Sequence, residues 1–144
     1  MMTEHDLWGK IREPLNRHGV ATRLENAAAM SVPDILFVSG GAMVFIEMKI
    51  VYGEKVYMPI FQHSYGKRIS HYINDFMHWV AAWDDEAGSI RMYTFRQVST
   101  CPISASGNKL TFNISQCKPK YILTRPESWS LWVDELMKKL FQYG

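Results

Sequence analysis

Three side chains in one short stretch have the types and spacing for cation-assisted chemistry: Asp34, Glu47 and Lys49. They lie in residues 33–49, which read as two apolar strands joined by Gly40-Gly41. A Gly-Gly pair accepts positive φ at both positions, so it suits a two-residue hairpin turn. Folding about that turn sets 38 against 43, 36 against 45, and 34 against 47. Asp34 and Glu47 then face each other with Cβ atoms about 5 Å apart. Lys49 follows Glu47 by two residues and points to the same face. Neighbouring carboxylates repel unless something neutralises them. A divalent cation would do so, with help from Lys49.

The rest of the hairpin must hold these groups in place. Leu36, Val38, Met43 and Phe45 share their face, and Ile35, Phe37, Val44, Ile46 and Met48 make the other. With both faces apolar, the hairpin is expected at the centre of a sheet covered on both sides. Before it, residues 3–17 read as a helix capped by Thr3, with Leu7, Ile11 and Leu15 on one stripe and a kink or early end at Pro14. Residues 20–25 read as a strand and 26–32 as a loop.

After the hairpin, residues 50–58 look irregular around Gly53. Pro59 can open a helix that carries Ile60, Phe61, Gln62, Tyr65, Ile69 and Tyr72, although Gly66 weakens it. Residues 76–83 and 90–95 flank an Asp-Asp-Glu-Ala-Gly turn and read as a second hairpin. Residues 97–123 are the least legible, with short strands expected at 110–114 and 121–122. A last helix starts at Pro126 with Trp129, Trp132, Val133, Leu136 and Leu140 on its apolar stripe. The order of elements predicts an α/β (α+β) domain with one central mixed β-sheet flanked by helices.

The chain of 144 residues is expected to be a single domain, and its 47% apolar content supports a sizeable core. No apolar run is long enough for a membrane span, and the first residues lack a signal-peptide layout. A cytoplasmic protein with no membrane partner is expected. The net charge of +2 neither demands nor excludes nucleic acid. Cys101 and Cys117 are too few for a disulfide framework or a four-cysteine zinc site, and read as reduced, partly buried thiols.

Pro33-Asp34 followed by Glu47-Met48-Lys49 resembles the PD-(D/E)xK nuclease superfamily. The wider layout resembles its VRR-NUC branch, including small phage proteins: helix, strand, P-D hairpin, E-x-K, then a helix opening with Gln, here Gln62. Arg23-Leu24-Glu25-Asn26 also resembles a segment of phage members, whereas Ser31 stands where a glycine is usual. The resemblance covers about residues 3–95, a restriction-endonuclease-like core, and leaves 96–144 as a C-terminal extension ending in a helix.

The resemblance implies a metal-dependent DNA nuclease, an endonuclease acting on branched or structured DNA, working as a homodimer in a bacterial or phage-infected cell. Asp34, Glu47 and the carbonyl of Met48 would bind Mg²⁺ or Mn²⁺, hard cations that prefer oxygen ligands. Lys49 would orient or deprotonate the attacking water. Gln62 would position the helix or a water. A further acid is implied, with Glu25 competing against Glu4, Asp6 and Glu13 on the first helix. The rival reading is a non-catalytic nucleic-acid-binding domain with the same fold.

Other residues carry weaker signals. His63 and His71, with Lys67 and Arg68, lie on the helix beside the proposed site and are candidates for phosphate contact. Lys118, Lys120 and Arg125 around Tyr121 form a second basic group. The five histidines show no metal-ligand spacing and read as surface or core residues. Tyr72, Phe76, Trp79, Trp83, Tyr93 and Phe95 read as core, and Trp129 and Trp132 as core or a dimer contact.

Overall fold

The fold is taken from a computed structural model, which describes residues 1–24, 32–124 and 129–143, with side chains to 139. Helix α1 (Glu4–His18) leads to β1 (Val20–Arg23) and the hairpin β2 (Ile35–Ser39) and β3 (Ala42–Ile50). Then come β4 (Lys55–Pro59) and α2 (Ile60–Ile69), a 3₁₀ turn at Asp75–Met77, and the hairpin β5 (His78–Asp84) and β6 (Ser89–Thr94). Helix α3 (Phe95–Thr100), strands β7 (Ser104–Ser106), β8 (Lys109–Asn113) and β9 (Tyr121–Thr124), and helix α4 (Trp129–Tyr143) complete the chain.

Six strands form a mixed sheet in the order β1-β2-β3-β5-β6-β9. Every pair in it is antiparallel except β3 with β5, which are parallel and joined by the crossover through β4 and α2. A second sheet of three strands runs β4-β8-β7. The described residues after 95 give the main sheet its β9 edge and supply α4 and two strands of the small sheet.

The Gly40-Gly41 turn has φ of 56° and 79°, and the register is the expected one, with Leu36 opposite Phe45 and Val38 opposite Met43. The covering of the hairpin departs from expectation. One face, with Ile35, Phe37, Val44, Ile46 and Met48, is buried under α1 and α4, where Leu7, Ile11, Leu15, Trp132, Val133 and Leu136 complete one core. On the other face a second core of Val56, Met58, Val80, Tyr93, Phe95 and Phe112 covers the β5–β6 side. The turn end of that face stays open, with Val38 and Met43 exposed and Leu36 and Phe45 half-buried. The hairpin lies one strand from the sheet edge, too far out for the second layer to reach all of it.

Other differences have local causes. Pro14 does not end α1: the helix runs on to His18, and Pro14 is itself buried beside Leu15, so packing outweighs the lost backbone bond. The stretch 50–58 holds β4, whose alternation of buried Val56 and Met58 with exposed Lys55 and Tyr57 is a half-buried strand pattern. Helix α2 stops at Ile69, leaving Tyr72 almost fully exposed rather than in the core. Gly66 serves packing: a Cβ there would meet the Phe95 ring at 2.3–2.7 Å. Cys101 and Cys117 are joined as a disulfide, not free thiols, which ties the end of α3 to the loop after β8. Among the described residues, no helix is long and apolar enough to cross a membrane.

Candidate functional site

Asp34 sits one residue before β2, at the level of Glu47 on β3. Its backbone carbonyl accepts from Leu24 N–H at 2.8 Å, and its Oδ2 accepts from Met48 N–H at 2.8 Å. The backbone of Asp34 is thus tied to Leu24, and its carboxylate is held from β3 alone, through Oδ2. Glu47 is fully buried, and neither Oε1 nor Oε2 has a hydrogen-bond partner. Burial raises its pKa most; His78 and Lys49 oppose the rise, and Asp34 adds to it. Lys49 is also buried, two residues on along the same face.

One acid of the first helix feels the charges of this cluster. Glu4 opens α1, and its pKa is raised by burial, then lowered by Lys49, raised by Asp34, lowered by Arg23 and raised by Glu47. Glu4 is therefore within the field of the whole cluster. The other two acids of α1 are engaged elsewhere. Asp6 closes a capping box with Thr3, and Glu13 pairs with Arg17 at 3.0 Å on the exposed side. Glu25 lies outside the described residues.

Gln62 is buried in the first turn of α2 and its Oε1 has no partner. No hydrogen bond joins it to Asp34, Glu47 or Lys49. His63 is buried too, with its ring 5.6 Å from that of Phe95, and burial followed by Lys67 lowers its pKa. It does not share the exposure of Lys67 and Arg68, whose helix face is open to solvent. Arg68 itself lies 5.6 Å over the Tyr65 ring.

His78 belongs to the site although its spacing carries no metal signature. Its Nε2 is 3.8 Å from Glu47 Oε1, an ion-pair distance beyond hydrogen-bond reach. The ring stacks on Phe95 at 4.7 Å and 6°, so its orientation is fixed. The parallel pairing of β3 and β5 puts His78 beside Phe45, on the face that carries Glu47.

The cluster suits a hard cation. Two buried carboxylate oxygens without hydrogen bonds, with a second carboxylate anchored beside them, are costly unless a positive group satisfies them. Among the described residues, no three His, Cys, Asp or Glu side chains close into a ready-made cage. Mg²⁺ does not need one, since it keeps several waters and takes one or two carboxylates.

No known family matches the chain, and no curated protein does. Among solved structures, Hjc from Archaeoglobus fulgidus, a Holliday junction resolvase from an archaeal hyperthermophile, aligns over 78% of this chain and 81% of its own, at 16% identity and a TM-score of 0.50. A bacterial homing endonuclease aligns over 99% of this chain and 97% of its own, at 13% identity and a TM-score of 0.42. At such identity the likeness to the resolvase is one of fold: a mixed α+β architecture with a central sheet flanked by helices.

Proposed function

We propose that this chain is a divalent-metal-dependent nuclease of the PD-(D/E)xK type, with a VRR-NUC-like layout, that hydrolyses DNA phosphodiester bonds. It acts as an endonuclease on branched or structured DNA and works as a homodimer. One observation carries the reading: Glu47 is fully buried with no hydrogen bond to either carboxylate oxygen, beside an anchored Asp34 and a buried Lys49. A buried carboxylate without hydrogen bonds is costly, and a bound cation would offset that cost. The fold shared with a Holliday junction resolvase supports the choice of branched DNA.

A bound Mg²⁺ or Mn²⁺ would polarise the scissile phosphate and lower the pKa of a coordinated water. Asp34, Glu47 and the Met48 carbonyl would hold it, with Glu4 or Glu25 as a further acid. The Met48 N–H bond keeps Asp34 from turning away. Lys49 orients the attacking water and offsets the negative charge that gathers on the phosphate oxygens. Gln62 positions a water at the start of α2. His78 packs beside the carboxylate, its Nε2 3.8 Å from Glu47 Oε1.

The test is a cleavage panel on single-stranded, duplex, flap and four-way-junction DNA, with Mn²⁺ or EDTA, for wild type and Lys49→Ala. Metal-dependent cleavage that prefers flap or junction and is lost in the variant is expected. If no substrate is cut, or Lys49→Ala cuts like wild type, the reading fails.

A further inference from the structure

The small sheet has one face turned inward and one outward. Val56, Met58 and Phe112 point into the second core. By strand alternation, Lys55 and Tyr57 on β4, Lys109 and Thr111 on β8 and Ser104 on β7 share the outer face, with Tyr57 opposite Thr111 and Thr111 opposite Ser104. Tyr52, in the turn before β4, brings its ring to 6.1 Å from Tyr57. Lys109 Nζ lies 5.3 Å over the Tyr57 ring. Tyr52 is 47% and Tyr57 37% exposed, so two tyrosine rings stand open to solvent beside two ammonium groups. None of the three strands carries an Asp or Glu, and the nearby Glu54 sits in the turn at the rim.

We infer that this outer face binds single-stranded DNA, with Tyr52 and Tyr57 as a stacking platform and Lys55 and Lys109 on the backbone phosphates. The charge is complementary to a polyanion. Exposed aromatic faces between cations are how proteins hold unpaired bases without sequence preference. Duplex DNA offers no free base face, so the platform selects unpaired strands. The surface is carried in part by β4, the strand that follows β3 in the chain. The choice of DNA rests on the proposed nuclease function.

The experiment measures binding of the whole chain to fluorescein-labelled oligothymidine by anisotropy in EDTA, where no cleavage intervenes. Tyr52→Ala with Tyr57→Ala is expected to weaken binding by about tenfold or more. Lys55→Glu with Lys109→Glu weakens it as well and flattens its salt dependence. Tyr57→Phe keeps the ring and keeps binding, and Tyr72→Ala, a change at an exposed aromatic elsewhere, leaves it unchanged. In wild type, an oligonucleotide carrying bromodeoxyuridine should photo-crosslink to the peptide that holds Tyr52 and Tyr57.

A folded double tyrosine variant that binds like wild type would overturn the inference. So would crosslinks mapping wholly elsewhere, or unlabelled duplex competing as well as single strands. Mn²⁺-dependent cleavage is scored separately. If cleavage is absent while tyrosine-dependent binding stands, the nuclease reading alone fails.

Discussion

His78 Nε2 stands 3.8 Å from Oε1 of Glu47, and both side chains are buried. This proximity tempers, but does not cancel, the effect of burial, which still raises the Glu47 pKa. Glu4 is shifted the same way, with burial again the largest cause. A carboxyl whose folded pKa lies above its unfolded value contributes stability that is full below the unfolded pKa and is lost as pH rises through the folded one. The metal-free protein should therefore lose stability as pH climbs from about 4.5, the ordinary glutamate value, toward neutrality. Adding Mn²⁺ at neutral pH should restore it. Glu47→Gln should remove both effects at this position and raise the Tm of the metal-free protein at pH 7, by about 2–4 °C for each kcal/mol at this chain length. Thermal melts across pH, with and without Mn²⁺, check it. A Glu47→Gln variant that melts below wild type at pH 7 and still responds fully to Mn²⁺ would refute the site.

Asp34 has two separable jobs: its charge, and the hydrogen bond from Met48 N–H. Asp34→Asn retains a carbonyl oxygen to accept that bond and removes the charge. Asp34→Ala removes both and leaves the Met48 N–H without its acceptor, a cost of about 1–3 kcal/mol. Both variants should lose Mn²⁺-dependent cleavage, but only the alanine should melt well below wild type. Equal melting of the two variants would show that the bond contributes little.

The hairpin was legible because its turn and its alternation agree. Gly40-Gly41 sets the register, and that register sets Asp34 at the level of Glu47. The second hairpin and α4 followed from apolar runs flanking a polar turn and from helical spacing. The small sheet was harder to see, because β4 pairs with β8, whose residues lie some fifty positions later in the chain. A five-residue strand has too little periodicity to announce a partner so distant. His78 was missed for a similar reason: its closeness to Glu47 arises from the parallel β3–β5 pairing, which no local pattern encodes. Glu4 looks like an ordinary helix-start charge in the sequence, and only the packing of α1 brings it to the cluster.

The Cys101–Cys117 disulfide closes a loop of sequence separation 16. A loop of that size stabilises a fold by about 3 kcal/mol when bridged, chiefly by restricting the unfolded chain. Cys117 is buried in the second core, so the bridge joins α3 and the β8–β9 connection to that core. Reductant, or Cys101→Ser with Cys117→Ser, should lower the Tm, and thiol titration of the denatured, unreduced protein should find no free thiol. Two titratable thiols under those conditions would show that the pair is not joined in the purified protein.

Gly66 tests how the helix layer supports the site. An alanine in mid-helix ordinarily stabilises by about 1 kcal/mol over glycine. Here a Cβ would meet three atoms of the Phe95 ring at 2.3–2.7 Å. Phe95 has little room to move, because it is buried, stacks on His78 at 4.7 Å and lies 5.6 Å from the His63 ring. The clash must therefore push α2 outward or displace Phe95 and with it His78. Overpacking of this kind costs about 1–3 kcal/mol, enough to reverse the helix gain. Gly66→Ala should melt below wild type, and its cleavage should fall further than the lost stability explains, since displacing Phe95 and His78 disturbs the packing beside Glu47. Phe95→Leu in the Gly66→Ala background should recover part of the Tm by making room, without restoring the His78 stacking. A Gly66→Ala protein as stable and as active as wild type would mean that α2 shifts freely and that the Phe95 contact does not govern the site.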